Sequence, residues 1–158
     1  MSRISRQQLF MEIAHTVAKR STCMRLSVGC VLVSNKNIVA IGYNGPPEGE
    51  PHCTGRNCSA PGQGCSRSVH AEINAFKKLE HRMLFDPLEP PPIDVYTTDS
   101  PCPHCFKLIT EPQWNVVNIY FTTLYRINSH LMHPSINIYQ ITPSGYTIDH
   151  QSGELLEG

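Results

Sequence analysis

The chain has 158 residues, enough for one domain with a core of its own, and its 13 Lys and Arg are matched by 13 Asp and Glu, so it lacks the basic excess typical of nucleic-acid-binding domains. No apolar run approaches the roughly 20 residues of a membrane span, and Met1 to Phe10 has no apolar signal core, which argues for a cytoplasmic protein. Seven cysteines are many for this length, and without an export signal they point to metal rather than to disulfides.

Ser5 to Arg20 reads as the first helix. Ser5 and Gln8 have capping-box spacing. Leu9, Phe10, Ile13, Ala14 and Val17 form one apolar stripe, with Glu12, His15, Thr16 and Lys19 elsewhere. Val28 to Val33 is a nearly continuous apolar run, the pattern of a buried strand in which Cys30 packs as a small hydrophobe. Ser34-Asn35-Lys36-Asn37 is a turn, and Ile38 to Tyr43 is the returning strand. After Gly42-Tyr43-Asn44-Gly45 comes an irregular segment, 46–67, rich in Pro and Gly and holding Cys53, Cys58 and Cys65. Loops of that length are uncommon unless functional or fastened. A closed structural zinc site could fasten it, with Cys23 joining the three loop cysteines and His52 as the alternative fourth ligand. The bland alternative is scattered thiols in a mobile loop.

Val69 to Glu80 reads as the second helix, with Ile73, Phe76 and Leu79 buried and Lys77, Lys78 and Glu80 solvated. A proline-rich connector, 84–92, leads to a strand at Ile93 to Thr98. Asp99-Ser100-Pro101 turns into a helix from about Cys102 to Glu111, with Pro103 in its first turn. Val116 to Phe121 and Ile136 to Ile141 are further strands. Tyr125 to Ser135 has no assignment, and the weakly patterned tail, 142–158, is read as an edge strand or a partly mobile end. Strands alternating with helices predict an α/β layer fold in a single domain, 1–158.

Two stretches carry the chemistry: Ser68-Val69-His70-Ala71-Glu72-Ile73-Asn74-Ala75 and Ser100-Pro101-Cys102-Pro103-His104-Cys105. His70, Cys102 and Cys105 are the donor types of a catalytic zinc, which commonly takes three protein ligands and leaves one position to water. Two cysteines three apart at a helix start share a face, and the positive end of the helix favours their thiolates. Glu72 is read as the proton carrier, since a fourth protein ligand would leave no water to activate. His-x-Glu followed by Pro-Cys-x-x-Cys is the signature of zinc deaminases.

At these residues the chain resembles the deoxycytidylate deaminases of the cytidine deaminase-like superfamily. The resemblance also covers Arg20-Ser21-Thr22-Cys23, Val28-Gly29 and Gly42-Tyr43-Asn44-Gly45-Pro46-Pro47. It implies a three-layer α/β/α fold around a mixed, about five-stranded sheet. It also implies a homo-oligomer, often a hexamer, and hydrolysis of dCMP to dUMP and ammonia. Activation by dCTP, with which magnesium would travel, and inhibition by dTTP belong to some members. In those members the Gly42, Tyr43, Asn44, Gly45 stretch contributes nucleotide contacts, and cysteines matching Cys23 and Cys53 hold a second zinc. The resemblance further implies that the backbone of Ala71 and Ser100 holds the polar edge of the base, that Asn44 binds the sugar, and that Tyr125 lies near the phosphate. Arg25, Arg67, Lys107 and Arg126 are phosphate-binding candidates by charge alone.

Three other readings compete. Transfer-RNA adenosine deaminases and riboflavin-pathway deaminases share both zinc motifs, but the balanced charge argues against the first. A thioredoxin-like redox protein also shows Cys-x-x-Cys between a strand and a helix, yet that reading leaves His70-Ala71-Glu72 and the cysteine-rich loop unexplained. A non-catalytic zinc-stabilised binding protein would not need Glu72. His15, His81, His104, His130, His133 and His150 have no motif around them and are read as surface or packing residues.

Overall fold

A computed structural model describes residues 2–23, 26–46, 69–81 and 88–156. The first helix, α1 (Arg6–Ala18), starts at the expected place for the expected reason. Ser5 Oγ accepts from the Gln8 backbone N–H at 3.1 Å, and Gln8 Oε1 accepts from the Ser5 N–H at 3.2 Å. Its buried side is Phe10, Met11, Ala14, Val17 and Ala18. This face is turned from the expected one, leaving Leu9 exposed and Ile13 half-buried.

The hairpin β1 (Gly29–Ser34) and β2 (Asn37–Tyr43) turns through Asn35 and Lys36, both at positive φ (51° and 67°). Two such residues make the turn whose twist suits a hairpin. Next come α2 (Ala71–His81), β3 (Ile93–Asp99), α3 (Pro103–Ile109), β4 (Val116–Thr123) and β5 (Asn137–Ile141). On α2 the buried residues are Ala71, Glu72, Ala75, Phe76 and Leu79, while Ile73 is only half-buried. Trp114 packs its ring 4.9 Å from Phe76.

The described residues form one mixed sheet of seven strands in the order β2-β1-β3-β4-β5, continued by β6 (Thr147–Asp149) and β7 (Leu155–Leu156). The expectation of about five strands therefore falls short by two. Both extra strands lie in the tail and are too short to show alternation in sequence. β3, β4 and β5 run parallel, while the pairs at either side are antiparallel.

Alternating residues send each strand to two cores. Val31, Val33, Tyr96, Tyr120 and Ile141 meet α1 on one face. Cys30, Leu32, Val95, Ile119, Phe121 and Ile138 meet α2 and α3 on the other. Helices on both faces make the three layers expected. Two glycines set the close approaches. A side chain at Gly29 would collide with the α1 backbone at Ala14 and Ala18, and one at Gly42 with the α2 backbone at Ala71 and Ala75.

The connection from β4 to β5 joins two parallel strands, a crossover that usually contains a helix. Residues 124–136, which include the unassigned stretch Tyr125 to Ser135, contain none. Leu131 and Ile136 fill the core where a helix would otherwise lie, at 0% and 6% exposure. No helix among the described residues is long and apolar enough to cross a membrane.

Candidate active site

The segment ahead of α2 is placed by the end of β2. Gly45 and Val69 exchange two backbone hydrogen bonds, 3.1 and 2.7 Å. Asn74 Nδ2 donates to the Tyr43 carbonyl at 2.9 Å, and Gly42 lets α2 lie directly on the strand. Asn44 faces the other way. Its Oδ1 accepts from the Val28 N–H at 2.8 Å and its Nδ2 donates to the Leu26 carbonyl at 2.6 Å. The Gly42–Gly45 stretch is therefore a structural seat for His70 and Glu72 as well as a candidate nucleotide contact.

Cys102 ends the turn after β3 and serves as N-cap of α3, its sulfur 3.5 Å from the Cys105 backbone nitrogen. α3 begins one residue later than expected because Cys102 has extended backbone (φ −67°, ψ 165°), outside the helical range, and caps rather than joins it. Cys105 follows on the first turn and is buried, while His104 between the two is exposed. His70 Nδ1 lies 3.0 Å from Cys105 Sγ and 3.5 Å from Cys102 Sγ. The three ligand atoms lie within 4.8 Å of one another, the one such cluster among the described residues.

Glu72 is 4% exposed, and Thr97 Oγ1 stands 3.1 Å from its Oε1 and 2.9 Å from the Asp99 carbonyl. Burial raises the Glu72 pKa, opposed by a hydrogen bond with Cys105, the nearby His70 and the contact with Thr97. The Cys105 thiol lowers the Cys102 pKa to about 3, and the same contact together with burial raises that of Cys105. An imidazole nitrogen and two sulfurs converging at the wall of an open cleft are a donor set that suits zinc.

The cleft is open to solvent and holds about 590 Å³ of empty space, solvent at its mouth included. His70, Ala71, Glu72 and Cys102 line its reactive side, and Leu26, Val28, Asn44, Asp99, Ser100 and Tyr125 the rest. Cys23 lies on the same wall and is a free thiol. Cys53, Cys58, Cys65 and His52, expected with it in a second zinc site, lie outside the described residues, as do Arg25 and Arg67. Lys107 and Arg126 are exposed, and the Arg126 guanidinium sits 6.0 Å from the Tyr125 ring centroid.

The profile of the family described as "Cytidine and deoxycytidylate deaminase zinc-binding region" matches residues 4–122. The chain belongs to that family. It is 38% identical to ComE operon protein 2 of Bacillus subtilis over 126 residues, 80% of this chain and 64% of that one. It is 33% identical to the deoxycytidylate deaminase of Schizosaccharomyces pombe over 129 residues, 77% of this chain and 38% of that one. The chain thus spans less than two thirds of either relative. The crystal structure of dCMP deaminase from the cyanophage S-TIM5 in complex with dCMP and dUMP superposes with a TM-score of 0.73 at 28% identity. It covers 89% of this chain and 99% of the phage protein.

Two residues beside the candidate site were not singled out by sequence: Thr97 next to Glu72, and His130. His130 Nε2 lies 2.8 Å from the Pro101 carbonyl oxygen, next to Cys102. No local motif marks it, because the contact joins residues 29 positions apart.

Proposed function

We propose that this chain hydrolyses dCMP to dUMP and ammonia. The observation that carries the reading is the His70, Cys102, Cys105 cluster with buried Glu72 beside it on the wall of an open cleft. The likeness to a phage dCMP deaminase seen with dCMP and dUMP supports the choice of substrate. Zinc held by His70, Cys102 and Cys105 would lower the pKa of a water and make it a nucleophile near neutral pH.

Glu72 takes a proton from the attacking water and delivers it to ring nitrogen 3 of cytosine. Oxygen bonds to carbon 4, Glu72 takes the remaining proton from the new carbon-4 hydroxyl and gives it to the amino nitrogen, and the carbon–nitrogen bond breaks to leave a carbonyl and ammonia. The Ser100 N–H is already committed to the Thr123 carbonyl at 2.8 Å, so Ser100 offers the base its carbonyl, an acceptor for the cytosine amino group. The Ala71 N–H, at the start of α2, serves the base carbonyl. The Asn44 amide holds Leu26 and Val28 but keeps one proton and one lone pair for a sugar hydroxyl. Tyr125 closes the phosphate end of the cleft.

The same reading extends to regulation and assembly. A cytoplasmic homo-oligomer, a hexamer by resemblance, would respond to dCTP with magnesium and to dTTP through Gly42, Tyr43, Asn44 and Gly45. A structural zinc would be held by Cys23, Cys53, Cys58 and Cys65.

The test is a panel of dCMP, dCTP, cytidine and a transfer RNA, with dCMP assayed alone, with dCTP and with dTTP. Turnover of dCMP alone among them is the expected result, and turnover confined to another substrate sinks the assignment. In parallel, Glu72→Gln should keep zinc and fold while losing at least about a hundredfold in kcat. Near-normal turnover by the zinc-loaded variant removes Glu72 from the mechanism.

A further inference from the structure

The helix-free crossover does more than connect two strands. Its backbone and side chains reach the two residues that precede Cys102. The Ser100 N–H donates to the carbonyl of Thr123, the last residue of β4, at 2.8 Å, while from the crossover the Tyr125 N–H donates to Ser100 Oγ at 2.7 Å and His130 Nε2 meets the Pro101 carbonyl at 2.8 Å. The crossover is itself held in shape. Asn128 Nδ2 donates to the Tyr125 carbonyl at 2.9 Å, and the Leu131 N–H donates to the Asn128 carbonyl at 3.1 Å. Leu131, next in the chain to His130, is fully buried in the core. The His130 ring also stands edge-on to Phe106, centroids 5.5 Å apart at 68°, and Phe106 follows Cys105 in α3. One imidazole therefore touches the turn that carries Cys102 and the helix that carries Cys105.

We propose that His130 is a positioning residue of the metal centre, fixing the Cys102 turn through the Pro101 carbonyl and α3 through Phe106. A carbonyl oxygen only accepts, so Nε2 carries the proton and Nδ1 is the bare nitrogen. Nδ1 is buried without a hydrogen-bond partner, so the ring is held by the Pro101 bond at one edge and by packing at the other. The need for such a brace follows from the size of α3. It spans only Pro103–Ile109, and Cys102 stands outside it as the cap. The position of Cys102 is then set by what grips the turn, and metal ligands tolerate displacements of only about 0.2 Å. Outer partners that orient metal ligands are worth roughly 10- to 100-fold in metal affinity or activity.

This inference rests on the reading of the cluster as a zinc centre. The test compares the zinc-loaded wild type with His130→Leu, His130→Asn and His130→Gln. It measures zinc release to a colorimetric chelator, kcat and KM for dCMP, and the melting temperature of the metal-free proteins. The Leu variant, and the Asn variant whose amide ends short of the carbonyl, should release zinc about 10- to 100-fold faster and lose kcat more than KM. Gln, whose terminal N–H reaches the place of Nε2, should return both toward wild type. Zinc release and kcat unchanged in both the Leu and Asn variants overturn the proposal. So does a Gln variant no better than Asn in zinc release when the metal-free forms melt alike. A wild type that takes up no stoichiometric zinc overturns the metal reading itself, a result distinct from either.

Discussion

Thr97 has one hydroxyl proton and two acceptors within reach, the Glu72 carboxylate and the Asp99 carbonyl. When Glu72 is ionised, the hydroxyl donates to it. When Glu72 has taken a proton, the carboxyl becomes a donor and Thr97 can accept from it while turning its own proton to Asp99. A carboxyl that serves as base and then acid is thus matched by a neighbour able to reverse its own role. Thr97→Val keeps the shape and removes that partner. With a hydrogen bond to a charged group worth about 1.5–3 kcal/mol, kcat should fall by at least about tenfold with little change in KM. Thr97→Ser should keep most of the activity. Steady-state kinetics on dCMP decide the matter, and an unaltered kcat in the Val variant denies Thr97 this part.

At the scale of elements, α2 reaches its place because β2 offers it a flat seat. A Cβ at Gly42 would stand 2.6 Å from the Ala75 nitrogen and closer still to the Ala71 carbonyl, both backbone atoms that cannot swing aside. Gly42→Ala should therefore lower stability by about 3 kcal/mol and, by lifting His70 and Glu72 together, reduce zinc occupancy. Denaturant melts and metal analysis read the two effects. A variant as stable as wild type would mean that α2 can shift at little cost.

The elements legible in sequence are those whose cause is local. Ser5 with Gln8, the apolar run into β1, and the Pro-Cys-x-x-Cys turn into α3 each carry their signal within a few residues. So does the ligand set, because residue type and spacing describe a donor group wherever the chain takes it. What sequence did not show depends on partners far along the chain. The α1 stripe was displaced because Gly29 admits α1 at Ala14 and Ala18, turning Met11 inward and Leu9 out. The crossover has neither helical nor strand periodicity, so nothing local announces that His130 ends at Pro101. The tyrosine ladder of Tyr96, Tyr120 and Tyr139, with centroids 4.5 and 5.1 Å apart, needs the strand register before it can be seen.

Across the whole molecule, the tail closes one side of the sheet. β6 pairs with β5, and the His150 N–H donates to the Ile138 carbonyl at 2.8 Å. Gln151 joins the tail to the crossover, its Oε1 accepting from the His133 N–H at 2.8 Å and its Nε2 donating to the Ile136 carbonyl at 2.9 Å. A chain ending at Thr142 would leave β5 as a bare edge beside Ile138 and Ile141. It should melt several degrees lower than the full chain and aggregate more readily, as light scattering during a thermal ramp would show. Equal melting and solubility would make the tail dispensable.

The paired bonds between Gly45 and Val69 have an effect beyond aligning α2. They tie the end of β2 to the residue that precedes His70, so the sheet itself sets where His70 stands. His70 therefore inherits its position from the β1–β2 hairpin, and a disturbance of that hairpin would reach the candidate metal ligands directly.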